Sequence, residues 1–415
     1  MIIDTIGYGY KDLTVIPASH SEQEHRADVW PFIKLDYDTS HQVKHPMLPI
    51  FTAPMSTVVN IENYTKFYDN NIFAIIPRNI DISTRIDYMV TGNWVAFSMS
   101  EIKKIISFLS ESHEDVVNIV HKFGNHFRIC IDIANGHLES IYNCCRNVKL
   151  FAQKEGLIIE IMTGNIANPD TYYELAYTDF GLIDKTDKNS GKIVDYIRLG
   201  IGSGEGCITS PQTAIHYPMA TLIDMCNKFD LLNNIDPVNR SIKLIADGGI
   251  KSNGDVIKAL ALGANYVMIG GLFARTVDAA GDKYIIKGND RIKIEQWQAE
   301  QLFEENSYWK YDPKIYDEED NERSGYSITR DNLYTEFYGM ASRQGQIDMF
   351  GKKMKTAEGI SKFLHVETSL QKWSKNMEDS IRSAMTYCNC WNLSDFVGKQ
   401  KLIPNAEGEK ESVNK

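Results

Sequence analysis

The chain has 415 residues, 43% hydrophobic and 24% charged, which supplies a large core and excludes a protein that is mainly disordered. Its 44 Lys+Arg against 55 Asp+Glu leave a net charge of −11, which excludes binding that rests on wrapping nucleic-acid phosphates. No apolar run reaches the ~20 residues of a membrane span, and MIIDTIGYGYKDL carries neither the basic nor the apolar region of a secretion signal.

Eight short apolar runs, each bounded by turn residues, follow in chain order. They are 48–53 (LPIFTA), 72–77 (IFAIIP), 94–99 (WVAFSM), 128–133 (RICIDI), 158–164 (IIEIMTG), 196–201 (YIRLGI), 243–248 (KLIADG) and 266–271 (YVMIGG). The runs are continuous rather than alternating, as in parallel strands covered on both faces. Helical patterns lie between them. Ser98 or Ser100 is placed to cap EIKKIISFL, and Asn253 to cap GDVIKALALG, which stops at Gly263. Eight strands alternating with helices predict an α/β fold, a (β/α)8 TIM barrel. The competing open doubly wound sheet lacks its dinucleotide fingerprint, because the glycine run 200–206 does not satisfy G-x-G-x-x-G in any frame. Two stretches read as insertions on the C-terminal face: the polar 183–192, and 276–330, with Trp297, Trp309 and the acidic run Asp317 to Asp320. The second is expected to form a subdomain or lid. Residues 1–403 then make one catalytic domain, followed by a polar tail over 404–415.

Chemistry in such a barrel gathers just beyond the strand ends. Those positions hold Met55, Arg78, Asp132, Asn165, the run Gly200-Ile-Gly-Ser-Gly-Glu-Gly-Cys207, Asp247-Gly-Gly249 and Gly270-Gly271. Paired glycines after strands seven and eight fit a phosphate held by backbone N–H groups, although each pair also fits a plain tight turn. The seven cysteines are odd in number and irregular in spacing, which points to a reducing cytoplasm rather than a disulfide framework. Neither Cys388–Cys390 nor Cys144–Cys145 has a second pair at zinc-site spacing, and Cys130 and Cys226 sit in apolar patterns. Cys207 alone stands in a glycine-rich turn at a strand end.

The segments FTAPMSTV, CIDIANGH, GIGSGEGCIT, IADGGIKSNGDVIKALALGANYVMIGG and FYGMAS together resemble the IMP dehydrogenase/GMP reductase family. The resemblance implies a purine nucleotide substrate, a homotetramer, and Cys207 as the nucleophile at purine C2. It implies substrate contacts from Met55, Asp247, Gly249, Gly270, Gly271, Tyr338, Gly339, Met340 and Gly359. Asp247 would take the ribose hydroxyls, Gly249, Gly270 and Gly271 the 5′-phosphate, with Tyr338 nearby, and Met340 the base. Arg78, Asp132 and Asn165 fall on the cofactor side. The carbonyls of Gly202, Gly204 and Cys207 resemble a monovalent-cation site, with potassium as the ion. No segment long enough for the paired regulatory domains of many IMP dehydrogenases separates strands two and four. The flap, near 341–362, lacks the Arg-Tyr pair with which IMP dehydrogenases activate water. Thr209 and Glu358 instead match the pair with which GMP reductases manage ammonia.

GMP reductase chemistry with NADPH is therefore the first expectation. An NAD-dependent IMP dehydrogenase and a non-catalytic purine-binding protein are the alternatives. Several positions depart from the family pattern. Glu205 replaces a serine that binds phosphate, Ser56 replaces an aspartate, and Lys355 and Ala357 replace an arginine and a serine beside Glu358. A carboxylate facing a phosphate repels it, so Glu205 either turns outward, to solvent or a neighbouring subunit, or predicts a 5′ end bound differently from the family pattern.

Overall fold

The computed structural model describes residues 6–33, 46–111, 113–180, 191–305, 309–311, 326–351 and 356–406. The acidic run 317–320, most of 183–192, Lys355 and the tail from 407 lie outside these residues.

Eight parallel strands form the barrel: β1 (Ile50–Thr52), β2 (Ile75–Ile76), β3 (Trp94–Phe97), β4 (His126–Asp132), β5 (Ile158–Ile166), β6 (Tyr196–Leu199), β7 (Lys243–Asp247) and β8 (Tyr266–Ile269). Their order is β1-β8-β7-β6-β5-β4-β3-β2. The ring closes between β1 and β2 at a Phe51–Phe73 bridge, where Thr52 N–H donates to Phe73 O at 2.8 Å and Phe73 N–H to Ile50 O at 3.0 Å. Each predicted run overlaps one of these strands; six contain theirs, while His126–Asp132 begins two residues before the 128–133 run and Ile158–Ile166 ends two residues beyond the 158–164 run.

Alternation along each strand sorts the side chains. One set faces the helices: Ile129, Ile131, Ile161, Ile197, Leu199, Leu244, Ala246 and Val267 join the large core between sheet and helices. The other set fills the interior in layers. Aromatic rings pack the N-terminal end, with Phe51 stacked on Phe73 at 4.8 Å and edge-on to Trp94 at 5.6 Å. Ile75, Ala96, Cys130, Met162, Ile245 and Met268 form the next layer. Above them, the register that pairs Asp132 with Gly164 and Gly164 with Arg198 leaves charged side chains at the C-terminal mouth.

Helix ends follow the sequence with one correction. Ser98 caps Met99–Glu111, as expected: its hydroxyl accepts Glu101 N–H at 3.3 Å, and Glu101 accepts Ser98 N–H at 2.7 Å. The cap of Asn253–Leu262 is Ser252, not Asn253. Its hydroxyl accepts Asp255 N–H while Asp255 accepts Ser252 N–H, a reciprocal pair that Asn253 is one residue too late to make. Gly263, at φ 118°, ends that helix as expected.

Beside the loops that follow β1 and β8 lies an antiparallel sheet of β9 (Lys283–Lys287), β10 (Asp290–Ile294), β11 (Leu333–Phe337) and β12 (Lys362–His365), in the order β10-β9-β11-β12. It has its own core of Val277, Ile285, Ala299, Leu302, Leu333 and Val366. The 276–330 stretch supplies two of these strands, the helix Gln296–Glu305 and the short hairpin Trp309–Tyr311 with Tyr326–Ile328. The other two strands come from later in the chain. Among the described residues no helix is long and apolar enough to cross a membrane.

Candidate active site

Beyond β6 the chain turns sharply, with Gly200 at φ 115° and Gly202 at φ 75°. A Cβ on Gly202 would stand 2.6 Å from that of Ser210, so only glycine fits. The turn carries Cys207, half-buried, to the mouth of the barrel. Residues 358–360 hold it from the other side: Ile208 N–H donates to Glu358 O at 2.9 Å, and Ile360 N–H to Gly206 O at 3.0 Å. Gly359 bridges to both Cys207 and Ser342, and a Cβ there would lie 3.0 Å from Ser342 N. The missing side chain sets the spacing between thiol loop and flap.

Across this contact the Cys207 thiol donates to the Thr209 hydroxyl at 3.2 Å, and that hydroxyl donates to Glu358 Oε2 at 3.0 Å. A proton on sulfur therefore has a two-bond path to a carboxylate that does not touch the sulfur.

A second cluster fills the mouth. Asp247 Oδ2 accepts from Asn165 Nδ2 at 2.8 Å and from Arg198 at 2.9 and 2.8 Å. The same guanidinium donates to Asp132 Oδ1 at 2.6 Å. Burial opposes the charge on Arg198, but Asp247 and Asp132 hold its pKa well above the ordinary arginine range. Asp132 Oδ2 is buried and has no partner, so the cluster holds one unused acceptor. Arg78 braces the far side, donating to the Asp132 carbonyl at 3.2 Å, with its Nε 3.8 Å from Glu101. His137 accepts Ala167 N–H on Nε2 at 3.0 Å, so its Nδ1 is the donor to Thr171, and burial keeps its pKa below the usual value.

The remaining expected residues surround these groups. Met55 lies between Gly270 and Gly339: its Sδ is 3.0 Å from where a Gly270 Cβ would stand, and its Cε is 3.8 Å from that of Gly339. Met340 leads into the helix Arg343–Phe350, capped by Ser342. The Tyr338 hydroxyl donates to Asp348 at 2.7 Å, and burial with that carboxylate raises its pKa. It is the Phe337 ring that lies against Gly206 and Gly270. Gly249, at φ 75°, faces the ring of Tyr10, and Gly271 opens the short helix Gly271–Ala274. Gly202, Gly204 and Cys207 share one turn, in which Cys207 N–H donates to Gly204 O at 3.1 Å. All seven cysteines are free, and burial pushes the interior Cys130 thiol up to about 12. Among the described residues no cluster of three His, Cys, Asp or Glu is placed to hold a metal.

A family model described as the IMP dehydrogenase/GMP reductase domain matches residues 7–296. The chain belongs to the IMP dehydrogenase/GMP reductase family. Members of this family are oxidoreductases that act on purine nucleotides. GMP reductases of Staphylococcus aureus strains Newman, USA300 and COL are each 25% identical to this chain over 415 residues, covering 96% of it and 98% of their own length.

In this family member three groups at the mouth escaped sequence reasoning. Arg198 sits inside an apolar run, and the available signal was that a charged residue within a barrel strand must face a partner in the interior. Arg275 and Lys362 come from the far end of the short helix and from β12, and both reach Glu205, which no local pattern reveals.

Proposed function

We propose that this chain is a GMP reductase-like enzyme that reductively deaminates a guanine nucleotide, GMP or a close relative, to the hypoxanthine nucleotide and ammonia with NADPH. The Cys207–Thr209–Glu358 chain carries this reading. As Cys207 Sγ bonds to purine C2, its proton passes through Thr209 to Glu358. Glu358 delivers that proton to the 2-amino group, the C2–N bond breaks, and ammonia leaves with the purine held on sulfur. A reduced nicotinamide supplies the hydride that takes nitrogen's place at C2. The S–C2 bond then breaks with its electron pair on sulfur, and the thiolate takes a proton from water.

The mouth cluster suits a nicotinamide. Its carboxamide N–H is a donor of the kind Asp132 Oδ2 lacks, and Asn165 and Arg78 border the same space. Asp247, with its internal bonds all on Oδ2, keeps Oδ1 for the ribose hydroxyls. The carbonyls of the Gly202–Cys207 turn suit a monovalent cation such as potassium. The segment 341–362 acts as the flap, since it brings Glu358 to the thiol.

Following nicotinamide absorbance with guanine compounds and NADPH, and with IMP and NAD, tests the reading. Equimolar ammonia and NADP from a guanine substrate are expected. Glu358→Gln should slow deamination by about a hundredfold or more while hydride exchange with the product falls far less. Turnover of IMP with NAD alone would assign the dehydrogenase reaction instead.

A further inference from the structure

Barrels of this architecture hold phosphate with the loops after strands seven and eight and the start of a short extra helix. Here those loops carry Gly248-Gly249 and Gly270-Gly271, and the helix is Gly271–Ala274. The space over Gly271 is taken by an acid. Glu205 Oε2 lies 2.2 Å from where a Cβ on Gly271 would stand, so the carboxylate sits directly over that residue. Arg275, just past the same helix, donates to Glu205 Oε1 at 3.2 Å and to Glu367 at 2.7 Å. Lys362 Nζ is held on the Glu205 backbone carbonyl at 2.9 Å. Arg275 is thus paired with the two carboxylates, and Lys362 is held on the backbone carbonyl of Glu205. The Phe337 ring, packed against Gly206 and Gly270, adds no donor. On the strand-seven side the buried Tyr10 ring lies against Gly249, and its hydroxyl has no hydrogen-bond partner.

Resting on the reductive-deamination reading above but replacing its nucleotide by the unphosphorylated form, we propose that Glu205 stands in for the 5′-phosphate and makes the substrate a guanine nucleoside, with a free 5′-hydroxyl. A hydroxyl can donate to Glu205, which a phosphate dianion cannot do. Bringing that dianion within a few ångströms of the carboxylate, at an effective dielectric of ~20, weakens binding by about a hundredfold or more unless Glu205 leaves Arg275. The reaction is otherwise unchanged: guanosine gives inosine and ammonia, the nitrogen replaced by hydride.

Two measurements test this. The first compares kcat/KM for guanosine and GMP with NADPH in the wild type and in Glu205→Ser. The wild type should favour guanosine by at least about tenfold, and the serine variant should gain about a hundredfold toward GMP. The second needs no turnover: calorimetric binding of inosine and IMP to Cys207→Ala, with and without Glu205→Ser. Inosine should bind the single variant more tightly than IMP, and Glu205→Ser should reverse the order. If IMP binds better while Glu205 is present, or Glu205→Ser leaves GMP turnover unchanged, the proposal is overturned and deamination of GMP stands. If the binding order holds but no guanine compound is reduced, the reaction assignment fails while the substrate class survives. Binding of neither ligand overturns both.

Discussion

Replacing Arg198 with methionine isolates the charge that organises the mouth of the barrel. Arg198 is 6% exposed, and its guanidinium lies 2.6 Å from Asp132 and 2.8 Å from Asp247. Each contact is worth about 4 kcal/mol at an effective dielectric near 20, and burial of the arginine takes back several. Methionine fills similar volume but leaves two carboxylates facing each other without a cation. A net loss of about 3–5 kcal/mol follows, roughly a 3–6 °C fall in unfolding midpoint for a chain this long. The loss depends on pH in a fixed direction. With the cation gone, one carboxyl of the pair holds its proton more strongly in the folded state than in the unfolded chain. The folded variant then binds more protons, so its deficit shrinks as pH falls from about 8 to about 5. The double variant Arg198→Met/Asp132→Asn should recover part of the loss at the higher pH. Thermal unfolding of the three proteins across that range is the assay. A midpoint change under about 1 °C, or a deficit that does not vary with pH, would refute the reasoning.

Thr209→Val removes the hydroxyl between sulfur and Glu358 at nearly constant volume; single-turnover kinetics should show the chemical step slowed by about a hundredfold, with substrate affinity close to wild type. Lys283 is buried against the carbonyls of Ala279 and Gly281, and burial lowers its pKa from 10.5 to about 7, partly countered by Asp278, Asp282 and Glu300. The unfolded chain therefore binds more protons at this residue above pH ~7, so stability should rise with pH toward about 10, and Lys283→Met should flatten that rise in denaturant titrations.

The barrel was legible because each strand is a dense apolar run and several helix starts, Ser98 and Ser252 among them, carry a short polar cap, both local properties. The thiol was legible for the same reason: four glycines in seven residues have few other uses before a cysteine. What stayed hidden depends on register and on distant segments. YIRLGI reads as a strand whichever way Arg198 points, and only pairing with Gly164 and Ile245 turns it toward Asp132 and Asp247. The sequence reading of 276–330 as an insertion missed that two of the sheet's four strands lie beyond it, because antiparallel partners as far apart as Lys283 and Thr335, or Tyr334 and His365, leave no periodic trace. Glu205 was visible as an anomaly, but its partner Arg275 lies 70 positions away.

The ends of the described chain are joined. Leu13–Val15 pairs antiparallel with Leu402–Pro404, and the Thr14 hydroxyl donates to Asn405 at 2.6 Å. During synthesis the early strand therefore emerges long before its partner and waits while the whole barrel is made, a separation that slows final docking. The wait reaches the catalytic face. Tyr10 directly precedes that strand, is tied down by Lys258 through its carbonyl at 3.0 Å, and rests its ring on Gly249. A nascent barrel with all eight strands in place but lacking residues 402–404 is missing a clasp for the segment that lines the turn after β7, so activity should be among the last properties the growing chain acquires.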